Sequence, residues 1–415
     1  MMWIEGWYVS YALLGASAAG ILPILLPIIV SGSSTASQVG LVMAAFSFGG
    51  LTAPLWGKLA DARRLHTALL SGGLAFTAFA CAAFMFFSAP FARIVLALFQ
   101  GIGIAAASTT ANLFIVEAHP RSEWDARIGW LQTFYGGGQV AGLLLAGILA
   151  QADSLIGLMV AAGLVAVAVF PALLATPRLP EHTSQQRPAL THPARHAEWP
   201  ATSPQRMYHH LTGRANFRLL SLSGDASFPL FLLGWFLSFA GSAAFFSLFP
   251  IVMQHAYGVG PALSSAGFAV SAGLGLLLYA PAGRWSQGKP LRVLRWGLGA
   301  RLAAYSAIAL LFFVERSLSG FLALGLFLVV VLAWSALSVA GTAVVAEMFS
   351  SRASEGEGLG LFNAVTAFAG VAGSVAGGWT AAAWSYGSVP IVALVGTAAG
   401  LAVLLAGKFE RGDLA

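Results

Sequence analysis

Charge is scarce in this chain: Asp, Glu, Lys and Arg make up 9% of its 415 residues, against roughly a quarter in soluble domains. A water-soluble globule is thereby excluded, because its core needs a polar shell. The 58% apolar content and mean hydropathy of +0.81 call instead for hydrocarbon as solvent. The lone cysteine, Cys81, rules out an internal disulfide and a Cys-based metal site. Basic and aromatic residues do not interleave in any polar stretch, so the net charge of +6 and pI near 9.8 do not describe a nucleic-acid surface. Carboxylates are missing from the interior of every apolar stretch: all 15 lie at span ends, in loops or in the tail. At a span centre one would cost about 2.5–3.5 kcal/mol. Clustered His, Asp or Glu at one membrane face, which a membrane enzyme needs, are also missing, so no catalytic residue, cofactor or metal is assigned.

What the chain does have is long apolar runs. Twelve candidate spans fall at roughly 7–30, 37–56, 67–88, 91–116, 129–151 and 154–175, then 228–253, 262–282, 293–314, 318–346, 358–381 and 388–407. Unpaired backbone is not tolerated in hydrocarbon and alternating strand-length segments are absent, so the spans are predicted to be helices. The first run is too long for a signal-peptide core and is expected to stay as an anchor. Of the 21 Lys and Arg, 18 fall on one side, Arg93 and Arg316 on the other, and Arg301 inside a span. The basic side is read as cytoplasmic, with both termini there, in a multi-pass protein of the inner membrane. Arg301 is expected to snorkel to the cytoplasmic interface, with contact to an anionic substrate as the alternative.

A polar segment, 176–227, separates a first bundle (1–175) from a second (228–415 with a short tail) and reads as a cytoplasmic linker. Its Met207, Tyr208, Leu211 and Phe217 among Arg206, Arg214 and Arg218 suit a helix at an anionic leaflet. His192 and His196 have helical spacing, but without acidic or Cys partners they are not assigned a metal.

The two halves repeat each other. Pro27 near the end of the first span matches Pro250 in the seventh, Gly57 matches Gly283, and Glu117 matches Glu347; Gln132, Gly142 and Gly147 match Asn363, Gly373 and Gly378 at a constant offset. A duplicated six-helix unit creates an interface near the bilayer midplane, where transporters hold substrate. The stretch Gly57-Lys58-Leu59-Ala60-Asp61 followed by Arg63 and Arg64 resembles the signature between helices two and three of the major facilitator superfamily, and Gln100-Gly101-Ile102-Gly103 resembles its fourth-helix motif. The resemblance implies an all-α membrane protein of twelve helices in two pseudo-symmetric six-helix bundles. Three departures stand out: Arg64-Leu65-His66 replaces the Gly-Arg-Arg/Lys ending of the first signature, Ala97 replaces the arginine of the fourth-helix motif, and the fifth span lacks the proline of many antiporters.

Two sets of residues are expected to carry function. Cytoplasmic latches, formed in one of two conformations, are assigned to Gly57, Asp61, Arg63, Arg64, Glu117 and Arg127, and to Gly283, Arg284, Lys289, Glu347 and Arg352. In the first half Glu117 is expected to pair with Arg63 or Arg64, and in the second Glu347 with Arg284 or Lys289. A substrate cavity is assigned to polar faces at helical spacing: Tyr11; Gln100 and Asn112; Gln132, Tyr135 and Gln139; Trp235 and Ser238; Trp334 and Ser338; Asn363 and Thr366. The pocket is expected to be neutral and aromatic. The chain is accordingly read as a monomeric secondary transporter of a small molecule by alternating access, with proton-linked efflux of a neutral or amphipathic compound in front. Uptake or exchange of a sugar or organic anion, or a non-transporting sensor or assembly factor, remains the alternative.

Overall fold

The computed structural model describes residues 4–63, 65–120, 123–176, 227–314, 316–349 and 355–407; the side chains of Asp61 and Arg63 are not among what it describes. Turn chemistry sets where its helices begin. Prolines open three of them, at Pro90, Pro261 and Pro290, where a missing N–H removes nothing from the hydrogen-bond ladder. Asp153 accepts from the Leu155 N–H at 2.8 Å, and the Gln38 side chain accepts from the Thr35 N–H at 3.3 Å. Gly258 and Gly288 reverse the chain at φ of 68° and 66°, a region that disfavours side chains.

Between these signals run α1 (Tyr8–Ser31), α2 (Ala36–Ala60), α3 (His66–Phe84), α4 (Pro90–Ala118), α5 (Trp124–Ala152) and α6 (Ser154–Leu174). The second half supplies α7 (Ser227–Tyr257), α8 (Pro261–Ser286), α9 (Pro290–Leu311), α10 (Arg316–Phe349), α11 (Glu355–Ala383) and α12 (Val389–Ala406). Eleven of these are long and apolar enough to cross a membrane. The twelfth, α9, has 22 residues, but Arg292, Arg295 and Arg301 lower its apolarity. Several helices outrun the apolar windows, α5 starting at Trp124 rather than near 129, because hydropathy senses only the hydrocarbon-deep part of a helix. Of the polar stretch read as a linker, Ser227 already belongs to α7, and residues 177–226, with the histidines and the amphipathic part, lie outside the described residues, as does the tail beyond 407.

Packing follows the duplication. Gly142 on α5 lies against the Ala16 backbone of α1, and its counterpart Gly373 on α11 lies against the Ala240 backbone of α7. Gly147 reaches Ala262 of α8, while Gly378 reaches Ala36 of α2, so the matched glycines make matched contacts within and between the bundles. The Gln100-Gly101-Ile102-Gly103 motif is also a close-approach device: Gly101 meets the Phe46 backbone and Gly103 meets Gly73 and Thr77.

The apolar cores show how the bundles sit. At the end away from the N-terminus one cluster is shared by both halves, joining Ile21–Val30 of α1 to Phe245–Tyr257 of α7. At the basic end the cores are separate, one around Trp7, Tyr8 and Phe114 and one around Phe231, Trp235 and Leu294. The bundles are therefore joined at one end and parted at the other. Apolar side chains also cover the outside, with Phe86, Leu174, Phe313 and Trp384 largely exposed, as a lipid-facing surface requires.

Candidate functional site

Where the bundles part, they enclose a cavity of about 380 Å³ at mid-depth. The first bundle contributes Met43, Phe46, Ser47 and Gln139; the second contributes Phe239, Ser242, Phe246, Phe268, Tyr279, Arg301 and Trp334. Phe46 and Ser47 also border a wider recess of about 490 Å³ toward the basic end, lined by Tyr11, Ser108, Asn112, Gln132 and Tyr135. Gln132 donates to the Asn112 Oδ1 at 3.3 Å, and the Tyr11 and Tyr135 rings lie 4.9 Å apart, so four of the predicted residues form one polar wall.

Four of the hydroxyls that line the enclosed cavity are committed to helix carbonyls. Ser242 donates to the Ser238 carbonyl, Ser247 to Ala244, and Ser374 to Gly370. Ser335 donates across to Gly275 of α8. With their protons engaged, these groups offer a ligand acceptor lone pairs but few donors. Aromatic faces dominate instead: Trp334 lies 5.4 Å from Phe239, and Phe246 lies 6.0 Å from Phe268.

With this architecture in view, comparison with known proteins is decisive. The family model described as Major Facilitator Superfamily matches residues 7–338. The chain belongs to that superfamily. No curated protein matches it in sequence. Among solved structures it is similar to a mutant of the nucleoside transporter NupG, at 12% identity and a TM-score of 0.75 over 98% of this chain and 99% of that one. It is also similar to a bacterial homologue of the human lysosomal transporter Spinster in an inward-facing, occupied conformation (13% identity, TM-score 0.68, covering 99% and 97%). A D-xylose-proton symporter matches at 15% identity and a TM-score of 0.68, covering 97% and 96%. At these identities the likeness establishes the shared fold.

The other predicted cavity residues of this superfamily member lie elsewhere. Gln100 is fully buried inside the first bundle, 3.5 Å from the Ala80 carbonyl, and Ser238 is buried against Gly400 of α12. Trp235 is buried too; its Nε1–H donates to the Thr366 Oγ1 at 2.8 Å, and the inclined Phe362 ring lies 4.7 Å away. Asn363 donates to the Leu359 carbonyl, and Ser338 to that of Ser335, so Ser335 rather than Ser338 borders the cavity. Helical spacing identifies a polar face without saying whether a cavity or a neighbouring helix covers it.

Arg301 departs most from expectation. It does not snorkel to an interface: its side chain is 3% exposed and lines the central cavity. Its Nε–H donates to the Val330 carbonyl of α10 at 3.1 Å and its Nη1 to the Ser242 Oγ of α7 at 3.0 Å. The Trp334 ring centroid lies 5.5 Å from the guanidinium carbon and that of Phe246 lies 5.9 Å away. The cavity is therefore aromatic but not neutral.

At the basic end the described ion pairs join other residues than the signature arginines. His66, fully buried, lies 3.3 Å from the Glu117 carboxylate. Arg127 is held by Glu5 and, at 2.8 Å, by Glu123, within its own bundle. Glu5 also lies 2.8 Å from His119 and accepts from the Trp7 indole at 2.7 Å, which ties the start of the chain to the α4–α5 connection. Burial pulls the His119 pKa below the usual histidine range, against the opposing pull of Glu5. Among the described residues Arg284 and Lys289 form no ion pair with Glu347; both are exposed, and Gly283 faces open space. The Asp61, Arg63, Arg64 and Arg352 side chains lie outside what is described, as does any pairing of Glu117 with the two arginines of the signature.

Proposed function

We propose that this chain is a secondary transporter that carries a small amphipathic molecule by alternating access, and that its structure is the state open to the cytoplasm. One observation carries the reading: the bundles share a core at one end and separate around a mid-depth cavity toward the other. The positive-inside rule assigns the open, basic end to the cytoplasm and both termini with it. A single chain encloses the cavity, so a monomer suffices. Its aromatic walls and donor-poor hydroxyls suit an amphipathic body better than a polyol, which would leave many of its own hydroxyls unpaired.

Coupling to protons is assigned to the basic end, because the carboxylates and histidines gather there: Glu5, Glu117, Glu123, His66 and His119. Export is the direction we favour, since an aromatic cavity open to the cytoplasm loads from that side. Uptake is the second reading, supported by the likeness to a D-xylose-proton symporter. Flux of a chemically diverse panel into proteoliposomes, under pH gradients of either sign, tests all three elements. Gradient-driven accumulation supports coupled transport, and the sign that drives it separates export from uptake. Absence of flux and of counterflow for every compound would favour a non-transporting role on the same fold.

A further inference from the structure

Arginine is the one basic side chain that a protein interior cannot neutralise by deprotonation, so its charge must be met by an anion, by dipoles or by aromatic faces. Around Arg301 the protein supplies a carbonyl, a hydroxyl and two ring faces, and no carboxylate among the described residues. The Ser242 hydroxyl has already given its proton to Ser238, so it meets the guanidinium as an acceptor and holds it in one orientation. Of five guanidinium N–H groups, those on Nε and one on Nη1 are engaged; the Nη2 pair and the second on Nη1 have no hydrogen-bond partner among the described residues. The residue borders the cavity, and the arrangement holds an oriented cation toward it with part of its donor fork free.

We propose, resting on the transport reading above, that Arg301 is an anion subsite and that the substrate is a small organic monoanion: a carboxylate on an aromatic or alicyclic body. The carboxylate takes the free guanidinium donors and supplies the missing counter-charge. The body lies among Trp334, Phe239, Phe246 and Phe268, and Gln139 of the opposite bundle faces it across the cavity. The volume of about 380 Å³ admits one or two rings with a short acid arm. A neutral compound of the same shape leaves the cation unmatched, so affinity must discriminate between an acid and its amide.

The experiment uses the full-length protein in detergent and follows ligand-induced thermal stabilisation with 1-naphthoate, indole-3-acetate and cyclohexanecarboxylate, each beside its primary amide. Wild type should bind at least one acid roughly tenfold to a hundredfold more tightly than its amide. Arg301→Gln should abolish that preference by weakening the acid far more than the amide, and Arg301→Lys should restore part of it. Wild type without an acid-over-amide preference, whether both bind or neither does, overturns the proposal. So does an Arg301→Gln protein that loses acid and amide equally, since that outcome marks Arg301 as a strut between α7, α9 and α10. The transport reading fails separately: absence of counterflow for every acid and amide removes the transporter, whereas counterflow of acid and amide alike, with no preference for the acid, keeps the transporter and removes the anion subsite.

Discussion

If the bundles rock about the cavity, the contacts that close the far end must break in the other state, and a substitution there should act on one state only. Gly378 offers such a site. A Cβ added to it would stand 2.7 Å from the Gly40 Cα and 2.8 Å from the Ala36 carbonyl, both backbone atoms of α2, which cannot rotate away as a side chain does. Overpacking by a methyl group costs about 1–3 kcal/mol, which moves a two-state equilibrium about fivefold to 150-fold. Gly378→Ala should therefore raise the ratio of molecules open to the outside over those open to the cytoplasm by that factor. The assay is labelling of Gln139→Cys in the cavity by an impermeant thiol reagent applied from each face, with native Cys81 fully buried and silent. The parent protein should label from the cytoplasmic face and the double variant increasingly from the outer face. Gly373→Ala is the control, because its Cβ would meet the Ala240 backbone inside its own bundle and should lower stability without changing sidedness. An unchanged ratio of outer to inner labelling in Gly378→Ala would refute the assignment of this contact as a gate.

Other expectations follow from the same geometry. Gln139→Ala should weaken substrate binding up to about tenfold by loss of one hydrogen bond, whereas Gln100→Ala, inside the first bundle, should leave affinity unchanged; equilibrium binding separates them. Arg127→Ala strips Glu5 and Glu123 of a partly buried partner and should lower stability by about 1–3 kcal/mol, read as a drop in melting temperature that Glu5→Gln shares. Asp61→Asn should slow transport while membrane insertion, measured by surface expression, stays intact; equal transport rates would remove Asp61 from the latch.

The helices and their glycine register were legible because the membrane imposes them: a length of apolar residues, a side for the arginines, small residues where backbones meet. Gly142 and Gly373, aligned by spacing alone, do make equivalent contacts. The cavity wall was half legible. Tyr11, Asn112, Gln132, Tyr135, Gln139 and Trp334 border the two recesses, while Gln100, Trp235 and Ser238 turn toward neighbouring helices. Arg301 was misread although a measure of its depth was available. It stands 11 residues beyond Pro290, the start of α9, or roughly 16 Å at 1.5 Å per residue. That is about half of a 30 Å hydrocarbon layer and beyond the reach of a snorkelling side chain. The cluster of Glu5, His119 and Arg127 could not be seen in advance, because it joins residues far apart in the chain and no periodicity links them.

The setting of Arg301 makes one last expectation sharper. Its partners, Ser242 of α7 and Val330 of α10, belong to the same bundle as α9, so rocking of one bundle against the other leaves its surroundings intact. Gln139 and Phe46 stand on the opposite bundle, so under alternating access their distance from the guanidinium would change. A ligand held by Arg301 is thus bound equally on its charged side in both states, and only its contacts with the first bundle distinguish them. Only such differential contact shifts a conformational equilibrium. Arg301→Gln should consequently weaken anion affinity by the same factor whether substrate is offered from the cytoplasmic or the outer face of oriented vesicles. Gln139→Ala should change the ratio of the two affinities. A sidedness effect confined to Arg301→Gln would mean that the cation moves with the gate, and that α9 is not a fixed part of its bundle.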